Sequence, residues 1–105
     1  MLFIAEYKLT WESLDAVIAK RLEWEEIQPD GFRFVGEYVW QDGAAPFRGI
    51  AIIEADSVGA LNSFVLHYGP TLQMSFHPAS DVASSIQQVR GGTKTRGARR
   101  RGSKR

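Results

Sequence analysis

Two neighbouring strands are predicted within residues 31–55, which read GFRFVGEYVWQDGAAPFRGIAIIEA. Apolar residues and glycine occupy every second position through 32–40 and again through 47–55, a period of two that is typical of strands. The QDGAAP segment between them is rich in turn-forming residues. Because this connection is short, the two strands are predicted to pair as an antiparallel hairpin.

The sequence on either side of the hairpin repeats a strand–helix pattern. Residues 2–9 alternate like a strand, and apolar residues at helical spacing follow as far as Ile27, two residues before a proline. A second helical pattern ends at Gly69, and residues 71–77 alternate again. This order predicts an α+β, ferredoxin-like β-α-β-β-α-β fold, a four-stranded antiparallel sheet with both helices on one face. The apolar face of the first helix is predicted to hold Trp11, Leu14, Val17, Ile18 and Leu22.

Each predicted strand has one apolar face and one mixed face. The apolar faces, which include Tyr38 and Trp40, are expected to pack against the helices. The mixed faces retain β-branched residues, which are seldom left in water. We therefore expect a second copy of the sheet to cover them, which predicts a symmetric homodimer, a dimeric α/β barrel. The β-branched residues of the mixed faces are Ile4, Val35, Val39, Ile50 and Ile52.

Charge divides the chain into an acidic body and a basic tail. Residues 1–89 hold five basic and all 12 acidic residues, a formal charge of −7, and residues 90–105 hold eight basic residues and no acid. The domain is therefore predicted to span 1–89, with a short last helix bearing Val82, Ile86 and Val89. The tail 90–105 lacks large apolar residues and is predicted to be disordered. Its candidate phosphate contacts are Lys94, Arg96, Arg99, Arg100, Arg101, Lys104 and Arg105.

Arginine and lysine separated by Gly, Ser and Thr favour electrostatic contact with phosphates and no reading of base sequence. Nonspecific nucleic acid is thus one candidate partner of the tail. An anionic membrane surface, the chain's own acidic body, or a solvated extension without function are the alternatives.

Several classes of protein are disfavoured by what the sequence lacks. The chain has no cysteine, so it has no disulfide, thiolate metal site or cysteine nucleophile. Neither a signal peptide nor a run of about 20 apolar residues is present, which favours a cytoplasmic protein that does not cross a membrane. No phosphate-binding loop, nucleophile elbow or spaced metal-ligand motif is found, and no metal or cofactor is predicted.

Four segments carry a resemblance to a known family: MLFIAEYKLT, GFRFVGEYVWQDG, GIAIIEADS and LQMSFHP. Over about residues 1–80 they resemble a bacterial family of small proteins, known as a domain of unknown function, in the dimeric α/β-barrel superfamily. The resemblance implies the fold and a homodimer. The superfamily includes cofactor-free monooxygenases, haem-binding and haem-degrading proteins and lactone isomerases, so fold alone does not assign an activity.

The candidate site residues fall into two groups. Trp11, Tyr38 and Trp40, together with Tyr7, could line a pocket for a small apolar or aromatic ligand, or could simply be core. His77 and Glu37 lie on the predicted mixed face, where they could converge in a polar cavity suited to proton transfer or form interface ion pairs. The resemblance to haem-degrading relatives also makes His67 a candidate iron ligand, against the alternative of a histidine stabilised at a helix C-terminus.

Three functions are consistent with these features of the sequence. The first is a protein that binds or senses a small molecule without chemistry. The second is a cofactor-independent enzyme resembling the monooxygenases or isomerases. The third is a nucleic-acid accessory protein that acts through the basic tail.

Overall fold

The computed structural model describes the backbone of residues 1–43 and 45–100, and the side chains of 1–43 and 47–91. The elements are β1 (Leu2–Leu9), α1 (Leu14–Ile27), β2 (Phe32–Asp42), β3 (Ala45–Ala55), α2 (Val58–Tyr68), β4 (Met74–Ala79) and α3 (Val82–Arg100), with a 3₁₀ turn at Gly69–Thr71 before β4. The predicted ferredoxin-like β-α-β-β-α-β order is confirmed. The strands form one sheet in the order β2-β3-β1-β4, with every neighbouring pair antiparallel.

The hydrophobic core lies between the sheet and the layer formed by α1 and α2. Trp24 from α1 meets the rings of Phe32 and Phe64 edge to face, with centroids 5.0 and 5.2 Å away. Such aromatic pairs add stability beyond the area they bury. Gly69 ends α2 with a φ of 54°, a conformation that favours glycine.

The buried face of α1 differs from the one predicted. Val17 and Trp24 are buried, whereas Trp11, Ile18 and Leu22 are exposed. The helix carries two apolar stripes, and only the stripe that is spaced i, i+7 through Val17 and Trp24 meets the sheet. Trp11 precedes the helix, which begins at Leu14, and therefore belongs to neither stripe.

A β-bulge in β2 corrects the predicted faces of this strand. Phe34 pairs with Ile53 and Gly36 pairs with Ile52, so Val35 is an extra residue without a partner. Beyond a bulge the alternation of side chains reverses relative to the partner strand. Tyr38, 65% exposed, and Trp40 consequently point away from the helices, where the sequence predicted core positions.

The same reversal places Glu37 and Val39 on the helix side of the sheet, although the sequence predicted them on the mixed face. Glu37 pairs in register with Ala51, which is buried beneath the helices, and Val39 pairs with Gly49. The sheet therefore has a helix face, which contains Glu37 and lies against α1 and α2, and an open face on the opposite side. The open face is defined by Ile4, Tyr38, Trp40, Ile50 and Ile52.

Helix α3 is longer than the short helix predicted from Val82, Ile86 and Val89, since it extends to Arg100. No proline interrupts residues 82–100, and Ala, Lys and Arg have favourable helix propensity. Residues 90–100 are thus helical where the sequence predicted the start of a disordered tail. Residues 101–105 lie outside the described residues, and for them disorder stays a prediction.

Candidate functional site

A basic residue lies on the buried stripe of α1. Arg21 follows Val17 by one turn and precedes Trp24 by one turn, a spacing that directs its side chain toward the sheet. Its guanidinium lies over the Phe34 ring, 4.5 Å from the centroid. Only 21% of the side chain is exposed, so this charge needs a partner.

Glu37 supplies that partner from β2, where the bulge has turned it toward the helices. Arg21 donates from both terminal nitrogens to the two carboxylate oxygens, with Nη2 to Oε2 at 3.0 Å. This two-pronged geometry is the strong form of an arginine–carboxylate pair. The Glu37 side chain is 22% exposed, so the pair is largely removed from water.

Two tyrosines complete the network, which consists of Tyr7, Arg21, Glu37 and Tyr68. The Tyr7 hydroxyl donates to Glu37 Oε2 at 2.5 Å, and Arg21 Nε donates to the Tyr68 hydroxyl at 2.7 Å. The four side chains come from β1, α1, β2 and α2. They therefore tie both helices to the sheet by polar contacts as well as by the apolar core.

A glycine makes room for Tyr7. A Cβ atom on Gly49 would clash with ring and hydroxyl atoms of Tyr7. The two residues are register partners in β1 and β3, and the tyrosine ring lies across the space above Gly49. This close approach directs the phenol toward Glu37 on the next strand.

The pKa values of Tyr7, Arg21 and Tyr68 are shifted by burial and by the charges of neighbouring groups. Burial raises the pKa of Tyr7, and its hydrogen bond to the Glu37 carboxylate raises it further. Burial also raises the pKa of Tyr68, against the opposing effect of the Arg21 charge. Burial alone would lower the pKa of Arg21, but the bonds and charge of Glu37 outweigh it and the pKa is raised. Both phenols are therefore held in the protonated form.

The network forms the polar floor of a crevice between α1 and the sheet. The crevice has a volume of about 330 Å³, within the range typical of small-ligand sites. Apolar side chains surround the floor, and three of them are exposed at the rim. The rim residues are Ile18, Leu22 and Val39.

The bonding of Glu37 limits what the crevice can do chemically. Both of its carboxylate oxygens accept charged or strong hydrogen bonds from Arg21 and Tyr7. Both oxygens of this carboxylate are thus already used within the network, and a phenol with a raised pKa is a poor source of phenolate. The resting geometry thus suits the positioning of a ligand better than acid–base chemistry.

Of the six predicted pocket residues, the structure brings only Glu37 into the crevice. Tyr38 and Trp40 lie on the open face, and Trp11 is exposed before α1. His77 is on the open face as well, where its Nε2 contacts Glu6 Oε2 at 3.1 Å. Of the two alternatives that the sequence left open for His77 and Glu37, convergence in one cavity does not occur, because the two side chains lie on opposite faces of the sheet.

His67 connects the two helices. Its Nε2 donates to the backbone carbonyl of Lys20 at 2.8 Å, and its ring lies 5.7 Å from that of Trp24. These contacts are those of a structural histidine. Among the described residues no three histidine or carboxylate side chains are grouped closely enough to hold a metal ion.

Sequence reasoning missed Arg21 and Tyr68 and considered Tyr7 only as part of an aromatic lining. Arg21 stands at helical spacing between Val17 and Trp24, and this spacing becomes a signal only when Trp24 is known to face the sheet. The second signal is Gly36, a glycine within a strand pattern, which marks a bulge and so reverses the face of Glu37. Tyr68 looks like ordinary core in the sequence.

The predicted phosphate contacts of the tail begin at Lys94 and lie outside the side chains that the structure describes. Contact with nucleic acid therefore stays a prediction. None of the helices in the described part of the chain combines the length and apolar character needed to span a membrane. The cytoplasmic location also stays a prediction.

The fold and the crevice define a class: a ferredoxin-like domain with a ligand-sized site between a helix and its sheet. Within that class the chain belongs to the family described as Domain of unknown function (DUF3303), which matches residues 1–92. The family resemblance inferred from the sequence is thereby confirmed. No curated protein matches the sequence.

Solved structures that are similar to the chain include an antibiotic biosynthesis monooxygenase with 16% identity, a TM-score of 0.45, and coverage of 77% of this chain and 100% of the other. Rv0793 from Mycobacterium tuberculosis has 12% identity, a TM-score of 0.45, and coverage of 78% and 96%. SnoaB, a cofactor-independent oxygenase from Streptomyces nogalater, has 14% identity, a TM-score of 0.43, and coverage of 77% and 93%.

Proposed function

We propose that the chain binds a small, largely apolar molecule in the crevice between α1 and the sheet. The observation that carries this proposal is a polar network surrounded by apolar side chains at the floor of a 330 Å³ crevice. A few convergent polar groups within an apolar lining are what ligand sites generally offer. The rim residues Ile18, Leu22 and Val39 would be removed from water by such a ligand.

The ligand's polar group is a hydrogen-bond acceptor such as a carbonyl or phenolic oxygen. Arg21 uses three of its five N–H donors within the network, which leaves two for a ligand. The Tyr68 hydroxyl accepts from Arg21 and keeps its own hydrogen to donate. Because Glu37 balances the charge of Arg21, the floor favours a neutral acceptor over a bare anion.

The proposal is tested with the neutral fluorescent probe N-phenyl-1-naphthylamine, titrated into the full chain. Leu22→Lys places a charge at the crevice rim and should weaken probe binding about tenfold or more, as expected for a charge placed against apolar surface. Leu66→Lys is the matched control, because Leu66 is an exposed helical leucine that does not line the crevice. Equal affinities of the two variants would contradict binding in the crevice.

We propose further that the open face is covered by the same face of a second copy. Ile4, Ile50 and Ile52 are only half-buried in the single chain, and Tyr38 and Trp40 are exposed beside them. Tyr38→Glu should shift the protein from dimer to monomer in sedimentation velocity, whereas Val58→Glu, an exposed position on α2, should not. A wild-type chain that sediments as a monomer at micromolar concentration would contradict the dimer.

A further inference from the structure

A second, more polar hollow lies beside the crevice, at the end of β1. It has a volume of about 590 Å³, and Tyr7 and Leu72 line both it and the crevice. Strand β4 pairs with β1 only as far as Tyr7, so nothing from β4 stands opposite Lys8. We call this hollow the notch and define it by its polar lining, Glu6, Lys8, Arg48, Gln73 and Ser75.

Positive charge predominates in the notch. Lys8 and Arg48 are register partners in neighbouring antiparallel strands, so their side chains start about 5 Å apart on the open face, at the end of the sheet and one same-face pair beyond Ile50. The one carboxylate of the lining, Glu6, contacts His77, and Arg48 contacts Asp42 at 3.4 Å on the surface. Within the described residues Lys8 forms no ion pair.

The crevice and the notch differ in the ligand chemistry that they favour. Arg21 is neutralised by Glu37 in the crevice, whereas Lys8 in the notch has no carboxylate partner among the described residues. Gln73 and Ser75 beside it add side-chain donors that suit an oxyanion. Lys8 follows Tyr7 in β1 and starts on the opposite, open face, and the notch passes around the end of β4 from Leu72 to Lys8. A molecule that follows this path would have its apolar end in the crevice and its other end at Lys8.

We propose that the ligand is amphiphilic, with an apolar or aromatic body in the crevice and a carboxylate at the notch, where Lys8 and Arg48 recognise it. This inference rests on the proposed binding function and specifies its ligand class. A carboxylate matches the single unpaired cation and the neutral donors around it. Arg48 adds a second cation that can turn from its exposed contact with Asp42.

The test compares 4-(naphthalen-2-yl)butanoate with its neutral carboxamide, each titrated into the full chain at low ionic strength. The two probes have the same naphthalene ring and carbon chain and differ only in the charge of the terminal group. The wild-type chain should bind the carboxylate about fivefold more tightly, the ratio expected for a partly exposed ion pair. Salt should weaken binding of the carboxylate and leave that of the amide unchanged.

Lys8→Gln should bring the ratio of the two affinities close to one, without changing the affinity for the amide. Lys20→Gln is the matched control, since Lys20 is a surface lysine on α1 that lines neither hollow. Equal binding of acid and amide by the wild-type chain, or an equal effect of the two lysine variants, would overturn the notch proposal alone. Failure of both probes to bind would overturn the crevice proposal and this inference with it.

Discussion

The two faces of the sheet hold their charged residues in different ways. On the helix face, Arg21, Glu37, Tyr7 and Tyr68 form one connected network, and about a fifth of the Arg21 and Glu37 side chains is exposed. On the open face, Arg33–Glu54 and Glu6–His77 are separate pairs of side chains that are about half exposed. Charged residues thus produce a connected, largely buried network on one face and separate surface pairs on the other.

Burial, and not the number of ion pairs, determines how much a charged residue contributes to stability. Desolvation makes a buried charge costly without its partner, whereas solvent compensates for the loss of a surface partner. A substitution on the helix face should therefore cost more than a matched substitution on the open face.

The largest effect is expected for Arg21→Met. This variant leaves the Glu37 carboxylate largely buried without its cation, and we expect the free energy of unfolding to fall by about 2–4 kcal/mol. Arg33→Met removes an arginine from the exposed pair with Glu54 and should cost less than about 1 kcal/mol. Urea unfolding of both variants measures the contrast.

A double variant distinguishes the cost of an unpaired Glu37 carboxylate from a general failure to fold. Arg21→Met with Glu37→Leu removes both charges and should recover much of the stability, because no unpaired carboxylate remains in the core. If Arg21→Met and Arg33→Met cost the same, the distinction between the two faces is wrong.

The next effect concerns glycines on the two faces. In Gly49→Ala the new methyl group meets the Tyr7 ring, which must move away from Glu37, so a loss of about 1–3 kcal/mol is expected. Gly36→Ala is the control, because its Cβ would lie 3.5 Å from the Tyr38 ring, an ordinary contact on the open face. Thermal and urea unfolding should show a small change, within about 0.5 kcal/mol, for the control. A harmless Gly49→Ala would show that the packing of Tyr7 is not tight.

The fold was predictable from local pattern, and the site was not. Alternation along residues 2–9 and 47–55 and the helical spacing that ends at Gly69 each depend on a few neighbouring residues, and they led to the correct element order. The face of Glu37 depends on an extra residue at Val35, which exists only in relation to the pairing with Ile52 and Ile53. The position of such a bulge is defined by the pairing of two strands, so the local pattern of one strand does not determine it.

The buried stripe of α1 shows the same limit. Ile18 and Leu22 are as apolar as Val17, and nothing within the helix says which stripe faces the sheet. The choice follows from Trp24, which fits against Phe32 and Phe64, residues that come from other elements. Arg21 enters the core because of that choice, and the network with Glu37 could be recognised only once both elements were in place.

The smallest effect is expected for Tyr7→Phe, and it depends on pH. Removing the hydroxyl deletes its bond to Glu37 but leaves the ring and the Arg21 pair, so a loss of about 1 kcal/mol is expected at pH 7. Tyr38→Phe on the open face should change stability by less than about 0.5 kcal/mol at this pH.

The sign of the pH dependence follows from the raised pKa of Tyr7. Above about pH 10 the phenol ionises in the unfolded chain while the folded chain still holds its proton. The free energy of unfolding of the wild-type chain therefore falls with rising pH in that range, and the phenylalanine variant lacks this contribution. The difference between the two chains should be full below pH 10 and shrink above it, as measured by urea unfolding from pH 8.5 to 11. A difference that stays constant with pH would mean that the Tyr7 phenol is not held protonated by burial and by Glu37, and the helix face would then resemble the open face in its electrostatics.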